Sequence, residues 1–291
     1  MIELKKLITV GAHFGHQTSR WCPKMERYIW GQKNNVHLID VSKTAQEMEK
    51  ASQFLKDVAA QGKNILWIGT KKAAQDIIRS IAGDLNMPYV THRWVGGTLS
   101  NYTQVKKSVT KLLHYEDIIN KADKFPHYTK KELNVFGKVV DRLKKNVGGI
   151  KNLSWPLGAI VVVDVTKERS AIKEAATMGI PVVAIVDTNG DPSNVDYVIP
   201  ANDDAPRVIK LVMEYLAHSV AQGKELAKQK SVELEQQQEV TKKSEKSAKE
   251  GDAQARAKKP EGVQAKRKPG KPVQKKAPVA EKPAAVATEN E

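Results

Sequence analysis

Two histidines flank a short loop in His13-Phe14-Gly15-His16, and that HxGH spacing suits phosphoryl chemistry. At a strand-to-helix turn, two such imidazoles stabilise the charge on transferring phosphates. The context argues against this. The motif follows a helical pattern, Leu4 to Val10, where a buried strand is needed. No KMSKS-like loop follows; Pro23-Lys24-Met25-Glu26-Arg27 is too close and lacks the second lysine. The same stretch, Leu7 to Gly31, interleaves Arg20, Lys24 and Arg27 with the flat rings of Trp21, Tyr28 and Trp30. Cations neutralise phosphates and rings stack on bases, the pairing that RNA-binding surfaces use. The plain alternative is an amphipathic helix leading into an ordinary loop.

Three further constellations bear on chemistry. Gly69-Thr70-Lys71-Lys72 lies where a strand gives way to a helix, and free N–H groups at a helix start attract anions. It lacks the paired glycines and longer loop of a Walker A sequence, and it is not GxGxxG. Asp164, Asp187, Asp191, Asp203 and Asp204 gather near predicted strand ends. Carboxylates there can hold a hard cation, or zinc with His16 nearby, and Asp187 and Asp204 are the candidate ligands. A turn at Asp191-Pro192 and capping by Asp203 and Asp204 explain most of these positions without a metal. His92 to Asn101, HRWVGGTLSN, sets Arg93 beside Trp94 and puts Gly96 and Gly97 where a backbone can approach a ligand closely. It reads equally as a Gly-Gly connection with Trp94 in the core and Thr98 capping the next helix. No Ser-His-Asp or Cys-His arrangement has support, and nothing in the sequence couples Lys71, Asp187 and Asp204.

These residues must be held by alternating strands and helices. Val36 to Ile39 is a short strand, and a helix capped by Ser42 follows, with Ala45, Met48, Phe54, Leu55 and Val58 at helical spacing before Gly62. Asn64 to Ile68 is a buried strand, and a helix from about Lys71 carries Ala74, Ile77, Ile78 and Ile81. Met87 to Val90 begins a short strand. Leu157 to Val165, unbroken and β-branched, is a central strand covered on both faces. Ser170 to Met178 is a helix, Pro181 to Val186 a strand and Asp196 to Ile199 another. The last helix runs from Ala205 to about Lys228, with Asp203 and Asp204 complementing its dipole. Strand, glycine turn and helix in repetition predict five parallel strands in a flavodoxin-like doubly wound α/β fold. Its functional loops belong at the carboxyl ends of the strands.

Residues 99–148 break the pattern. Tyr102, Val105, Val109, Leu112 and Ile119 recur three and four apart, as do Leu133, Phe136, Val140, Leu143 and Val147. Two such seams predict an inserted antiparallel coiled-coil hairpin turning at Ala122 to Thr129. Glu116 falls in one seam and should loosen it. Lys106, Lys107 and Lys144 are among the cations on the outer faces, either simply solvated or laid along RNA. After residue 229 Ile, Phe and aromatic residues vanish, and residues 230–291 read as a disordered basic Lys/Ala/Pro-rich tail. The expected plan is a globular α/β domain of residues 1–98 and 149–229, the hairpin of 99–148, and the tail.

A net charge of +15 favours a polyanionic partner. The single cysteine, Cys22, excludes an internal disulfide and a multi-cysteine zinc site and fits a reducing compartment. No apolar run approaches the roughly 20 residues that span a bilayer, and Glu3, Lys5 and Lys6 interrupt any secretory signal. A cytoplasmic protein with no membrane partner is expected.

Three blocks sharpen the reading. HFGHQTSRWCPKMERYIWG from His13, THRWVGGTLSN from Thr91 and GIPVVAIVDTNGDPSNVDYVIPANDDA from Gly179 resemble, in order, segments of the bacterial small-subunit ribosomal protein S2 family. The resemblance covers roughly residues 1–225 and stops at the tail, which departs from the shorter acidic ends typical of the family. It implies a flavodoxin-like domain with a helical hairpin, placed between head and body of the small (30S) subunit. It also implies binding to 16S rRNA, contact with neighbouring subunit proteins, and support for docking of ribosomal protein S1. It implies no catalysis, no cofactor and no small-molecule substrate, in a cytoplasmic, ribosome-bound protein. The RNA-binding residues expected are His16, Arg20, Lys24, Arg27, Arg93, Trp94, Gly96, Gly97, Asn101, Lys106, Lys107 and Lys144. Reversing Arg20, Lys24 and Arg93 to Glu should abolish incorporation into subunits without unfolding the domain. The competing class is a nucleotide-binding enzyme on the same fold, using HxGH or the Gly69 turn; micromolar binding of ATP or GTP would favour it.

Overall fold

Strand β6, Leu157–Val163, is buried at every position except Gly158, as its unbroken apolar run requires. The computed structural model that places it describes residues 3–121 and 128–229. β6 is the middle of a five-stranded parallel sheet. Its neighbours are β4 (Asn64–Ile68) and β7 (Val182–Val186), and β5 (Tyr89–Val90) and β8 (Tyr197–Pro200) form the edges. Numbered along the chain, these strands lie in the order 2-1-3-4-5, the doubly wound order of flavodoxin-like sheets.

Alternation along each strand divides the core in two. Ile65, Trp67, Val161, Val163, Val183 and Ile185 point to one face, against helices α1 (Leu4–Val10), α2 (Val41–Ala60), α3 (Lys72–Asp84) and α7 (206–229). Leu66, Ile68, Ile160, Val162, Ala184 and Val186 point to the other, against α6 (Arg169–Thr177) and the start of α4 (Tyr102–Asn120). Each buried Val, Leu or Ile contributes roughly 1.5–3 kcal/mol of apolar transfer. Helix α7 carries its apolar stripe as Val208, Ile209, Val212, Met213, Leu216 and Val220. No helix among the described residues is long and apolar enough to cross a membrane.

The plain alternative has an ordinary loop after the first helix, and here the fold differs. Strands β1 (Phe14–Gln17), β2 (Ile29–Lys33) and β3 (Val36–Ile39) make a small antiparallel sheet in the order β1-β3-β2. They are four or five residues long and half exposed, so no apolar period announces them. A signal was present all the same. Asn34 and Asn35 both adopt positive φ, 50° and 58°, between paired strands, which is the two-residue hairpin geometry that Asn favours. The cap of α2 also differs: Asp40 is the N-cap, and its carboxylate accepts from Ser42 N. Thr98 does not cap α4; it is buried, its hydroxyl donates to Val95 O, and Asn101 holds the N-cap position.

Helix α4 and helix α5 (Lys130–Val147) pack on one another, with Tyr115 stacked on Phe136 at 5.1 Å and Tyr128 edge-on to the same ring. Val105, Val109 and Leu112 sink α4 into the second core, whereas only Val147 of α5 is fully buried. Glu116 is not the packing defect expected of it. Its carboxylate pairs with Lys151 at 2.7 Å, a cation supplied from beyond the helix pair. Of the expected turn at Ala122 to Thr129, residues 122–127 lie outside the described residues, as does the tail from 230.

Candidate nucleic-acid interface and the acidic niche beside it

The carboxyl ends of β4, β6, β7 and β8 converge on Lys71, which precedes the first turn of α3. Its Nζ lies 2.6 Å from Asp204 Oδ1, 2.7 Å from Asp203 Oδ1 and 3.5 Å from Asp164 Oδ2. His16 enters from β1. Its Nδ1 is 3.1 Å from Asp187 Oδ2, and its Nε2 is 3.3 Å from Asp204 Oδ2. The Asp187 contact is close but poorly aligned, so it acts as an ion pair when the ring is charged. His16 N donates to Thr188 Oγ1 at 2.9 Å, and Cys22 N to Thr188 O at 2.7 Å, which pins the small sheet to the loop after β7. Lys71, Asp187 and Asp204, uncoupled in sequence, therefore form one network. Parallel topology brings these distant segments to a single rim.

The charges tune one another. The Asp187 carboxylate beside Nδ1 raises the His16 pKa against the opposing effect of burial, with Asp204 and Asp203 adding to the rise. Burial would lower Lys71, but hydrogen bonds to Asp203 and Asp204 override it and hold the amine firmly charged. Burial pushes Asp203 up to about 6, opposed by Lys71 and reinforced by Asp164 and Asp187. The start of α3 is already occupied by an anion of the protein. Glu168, itself buried, accepts from Thr70 N at 3.1 Å and from the Thr70 hydroxyl. A phosphate at the Gly69 turn would face Glu168, Asp164, Asp203 and Asp204. Such crowding of acidic groups disfavours a phosphate at that turn.

The expected RNA-binding residues separate into two groups. Arg20, Arg27, Arg93, Gly96, Asn101, Lys106, Lys107 and Lys144 are solvent-exposed. Arg20, Arg93, Lys106 and Lys107 make no ion pair among the described residues. Lys24 is exposed but engaged, bonded to both Asp191 carboxylate oxygens and to Ser193 Oγ at 2.6 Å. Ser193 and Lys24 hold Asp191 down to about 2. His16 belongs to the niche, where its neighbours are carboxylates. Lys144 lies at the base of α5 close to β5, not out along the helix pair. Trp94 is a correction as well: only 8% exposed, it packs in the second core and its indole N–H donates to Glu174. Of the N-terminal rings, Tyr28 is buried, whereas Trp30 is 75% exposed.

Residues 7–223 match the sequence profile described as Ribosomal protein S2. The chain is 46% identical over 232 residues to the small ribosomal subunit protein uS2 of Koribacter versatilis, covering 80% of this chain and 77% of that protein. It is 42% identical to the uS2 of Karelsulcia muelleri, covering 76% of this chain and 99% of the relative. It is 43% identical to that of Micrococcus luteus, covering 77% and 78%. The chain belongs to the ribosomal protein S2 family.

In this S2-family chain the 93–101 loop is built around one side chain that sequence reading passed over. Glu174, on α6, accepts from Trp94 Nε1 at 3.1 Å, Gly97 N at 2.8 Å, Leu99 N at 3.0 Å and Ser100 N at 3.3 Å. Burial alone would raise its pKa, but these donors outweigh it and lower the pKa. Gly97 takes φ +88°, the left-handed turn that lets the loop close on the carboxylate. Gly97 thus serves loop closure, and the loop in turn presents Arg93. A lone Glu in a helix carries no sequence signal of such a role. Glu174→Ala strands several donors and should lower stability by about 2–4 kcal/mol. Glu174→Gln, which keeps an acceptor oxygen, should lose less than half of that in urea unfolding. Equal losses would show that the hydrogen bonds do not hold the loop.

Proposed function

We propose that this chain is a structural constituent of the small ribosomal subunit that binds rRNA and performs no catalysis. Family membership supports the assembly, and one feature of the site carries the rest. Arg20 on the N-terminal segment, Arg93 on the Glu174-locked loop, and Lys106 and Lys107 on α4 are exposed and make no ion pair among the described residues, while the rim that would serve a nucleotide is filled with carboxylates. The cations neutralise phosphates and position the protein; base stacking by Trp94 is not part of the reading. The partner is 16S rRNA between head and body, and α4 with α5 forms a coiled-coil arm along it. The protein is cytoplasmic and ribosome-bound. Docking of ribosomal protein S1 is what the family resemblance implies. The test is sedimentation of the tagged full chain from a lysate. It should run with small subunits and carry S1; a chain found only at the top of the gradient rejects the assignment.

A divalent cation in the niche is a second reading. Ligand atoms of His16, Asp203 and Asp204 lie within 4.8 Å of one another, and Asp187 orients the ring from the other nitrogen, as a carboxylate behind a metal-bound histidine does. The donor set of one imidazole and two carboxylates fits zinc. Lys71 Nζ contacts both aspartates, so a cation must displace it. Zinc at about 100 times its Kd should stabilise the fold by about 2.7 kcal/mol. The accompanying rise in melting temperature should vanish in Asp204→Ala, whose side chain is more than half exposed. No rise in the parent chain, or an equal rise in the variant, removes the cation from this site.

A further inference from the structure

A cleft of about 550 Å³ opens between α3, the edge strand β5 and the base of α5, away from the acidic niche. Its rim carries Arg79, Lys144 and Lys145 against one carboxylate, Asp141. Arg79 is partly spent on Asp76 at 3.2 Å, whereas Lys144 and Lys145 have no ion-pair partner among the described residues. Two uncompensated ammonium groups at a cleft mouth favour an anion. The interior is not simply a phosphate seat. Thr91 is 8% exposed and lines the cleft, and its hydroxyl makes no hydrogen bond among the described residues. An unpartnered hydroxyl in a cleft wall can donate to or accept from a polar ligand group. Tyr89 and His92 add ring surface to the same walls. Gly149 packs directly against Tyr89: its absent Cβ would fall 2.2 Å from Tyr89 O, so backbone alone forms that part of the wall. The volume lies in the range of small-molecule sites and exceeds what a phosphate needs.

We propose that this cleft receives a single nucleotide turned out of an RNA strand, with its phosphate on Lys144 and Lys145 and its base against Thr91 and Tyr89. The proposal deepens the rRNA-binding reading and rests on it. Single-stranded RNA is recognised in this way, by splayed bases on rings with hydrogen bonds to their edges. Lys144 then acts beside β5, and Lys145, absent from the expected set, acts with it.

Two arms test the proposal. Isotope-labelled full chain is titrated with 5′-AMP and 5′-UMP and, at matched ionic strength, with inorganic phosphate. The nucleotides should shift the amide signals of Thr91, His92 and Gly149 to saturation, whereas phosphate should move those near Lys144 and Lys145 alone. T91V should weaken nucleotide binding about fivefold and leave the phosphate response unchanged. The same response to phosphate and nucleotide, or none at Thr91, overturns the proposal. In the second arm, small subunits containing 4-thiouridine in their rRNA are irradiated, and a crosslink within residues 89–92 is expected. A chain that joins subunits without that crosslink defeats the nucleotide pocket and leaves the rRNA reading standing. A chain that never joins subunits defeats both.

Discussion

Lys71→Met should destabilise the fold by about 3–5 kcal/mol at pH 8, with a loss that shrinks steeply toward pH 5. Lys71 is 17% exposed and, among the described residues, is the one cation paired with Asp203 and Asp164, which are 2% and 8% exposed; it also pairs with Asp204. Methionine fills the space and leaves buried carboxylates uncompensated. The pH dependence follows from Asp203, whose value is raised from 3.8 to about 6 by burial first, despite Lys71. Across that window the native state binds more protons than the unfolded chain, so stability falls as pH rises through it. Without Lys71 the Asp203 value climbs further. The loss then extends to higher pH at about 1.4 kcal/mol for each added pH unit. His16 works in the same direction: its raised value contributes stability below about 6.5 that disappears as pH rises through the folded value. Urea unfolding of parent and variant at pH 5 and pH 8 reads this directly. A penalty independent of pH would mean that the carboxylates do not depend on Lys71.

The second large effect concerns assembly. R20E/R93E/K106E should abolish entry into small subunits while leaving the melting temperature within a few degrees of the parent. All three side chains are exposed and none makes an ion pair among the described residues, so reversal breaks no internal contact. Surface charge changes of this kind cost little in folding. Three reversed charges facing phosphates change binding by many kcal/mol at low salt, and the remaining affinity should show a weaker salt dependence. Lys24 is left out because its bonds to Asp191 and Ser193 tie it to the fold. A triple variant that assembles normally would place the RNA contacts elsewhere.

What could be read in advance follows from the range of the signal. β6 and β7 are legible because an unbroken apolar strand has few alternatives, and the last helix because Asp203 and Asp204 mark its start. The three quoted blocks sufficed for the family because their detail is long and ordered. The small sheet escaped because its strands are short and half exposed, and only Asn34-Asn35 marked the hairpin. Residue type alone does not place Trp94 or His16. An aromatic beside an arginine and a histidine beside glycine suit RNA, but burial and charged neighbours decide the role, and both are set by distant chain segments. Glu174 and the Lys71 network were invisible for the same reason: each unites residues that only the parallel topology brings together.

Mass-spectrometric mapping of RNA–peptide crosslinks in irradiated small subunits containing this chain tests the central claim most directly. The account predicts crosslinks within residues 18–28 and 92–107, with none at Lys71 or at the aspartates around it. Crosslinks confined to the niche, or none anywhere in the chain, would contradict it.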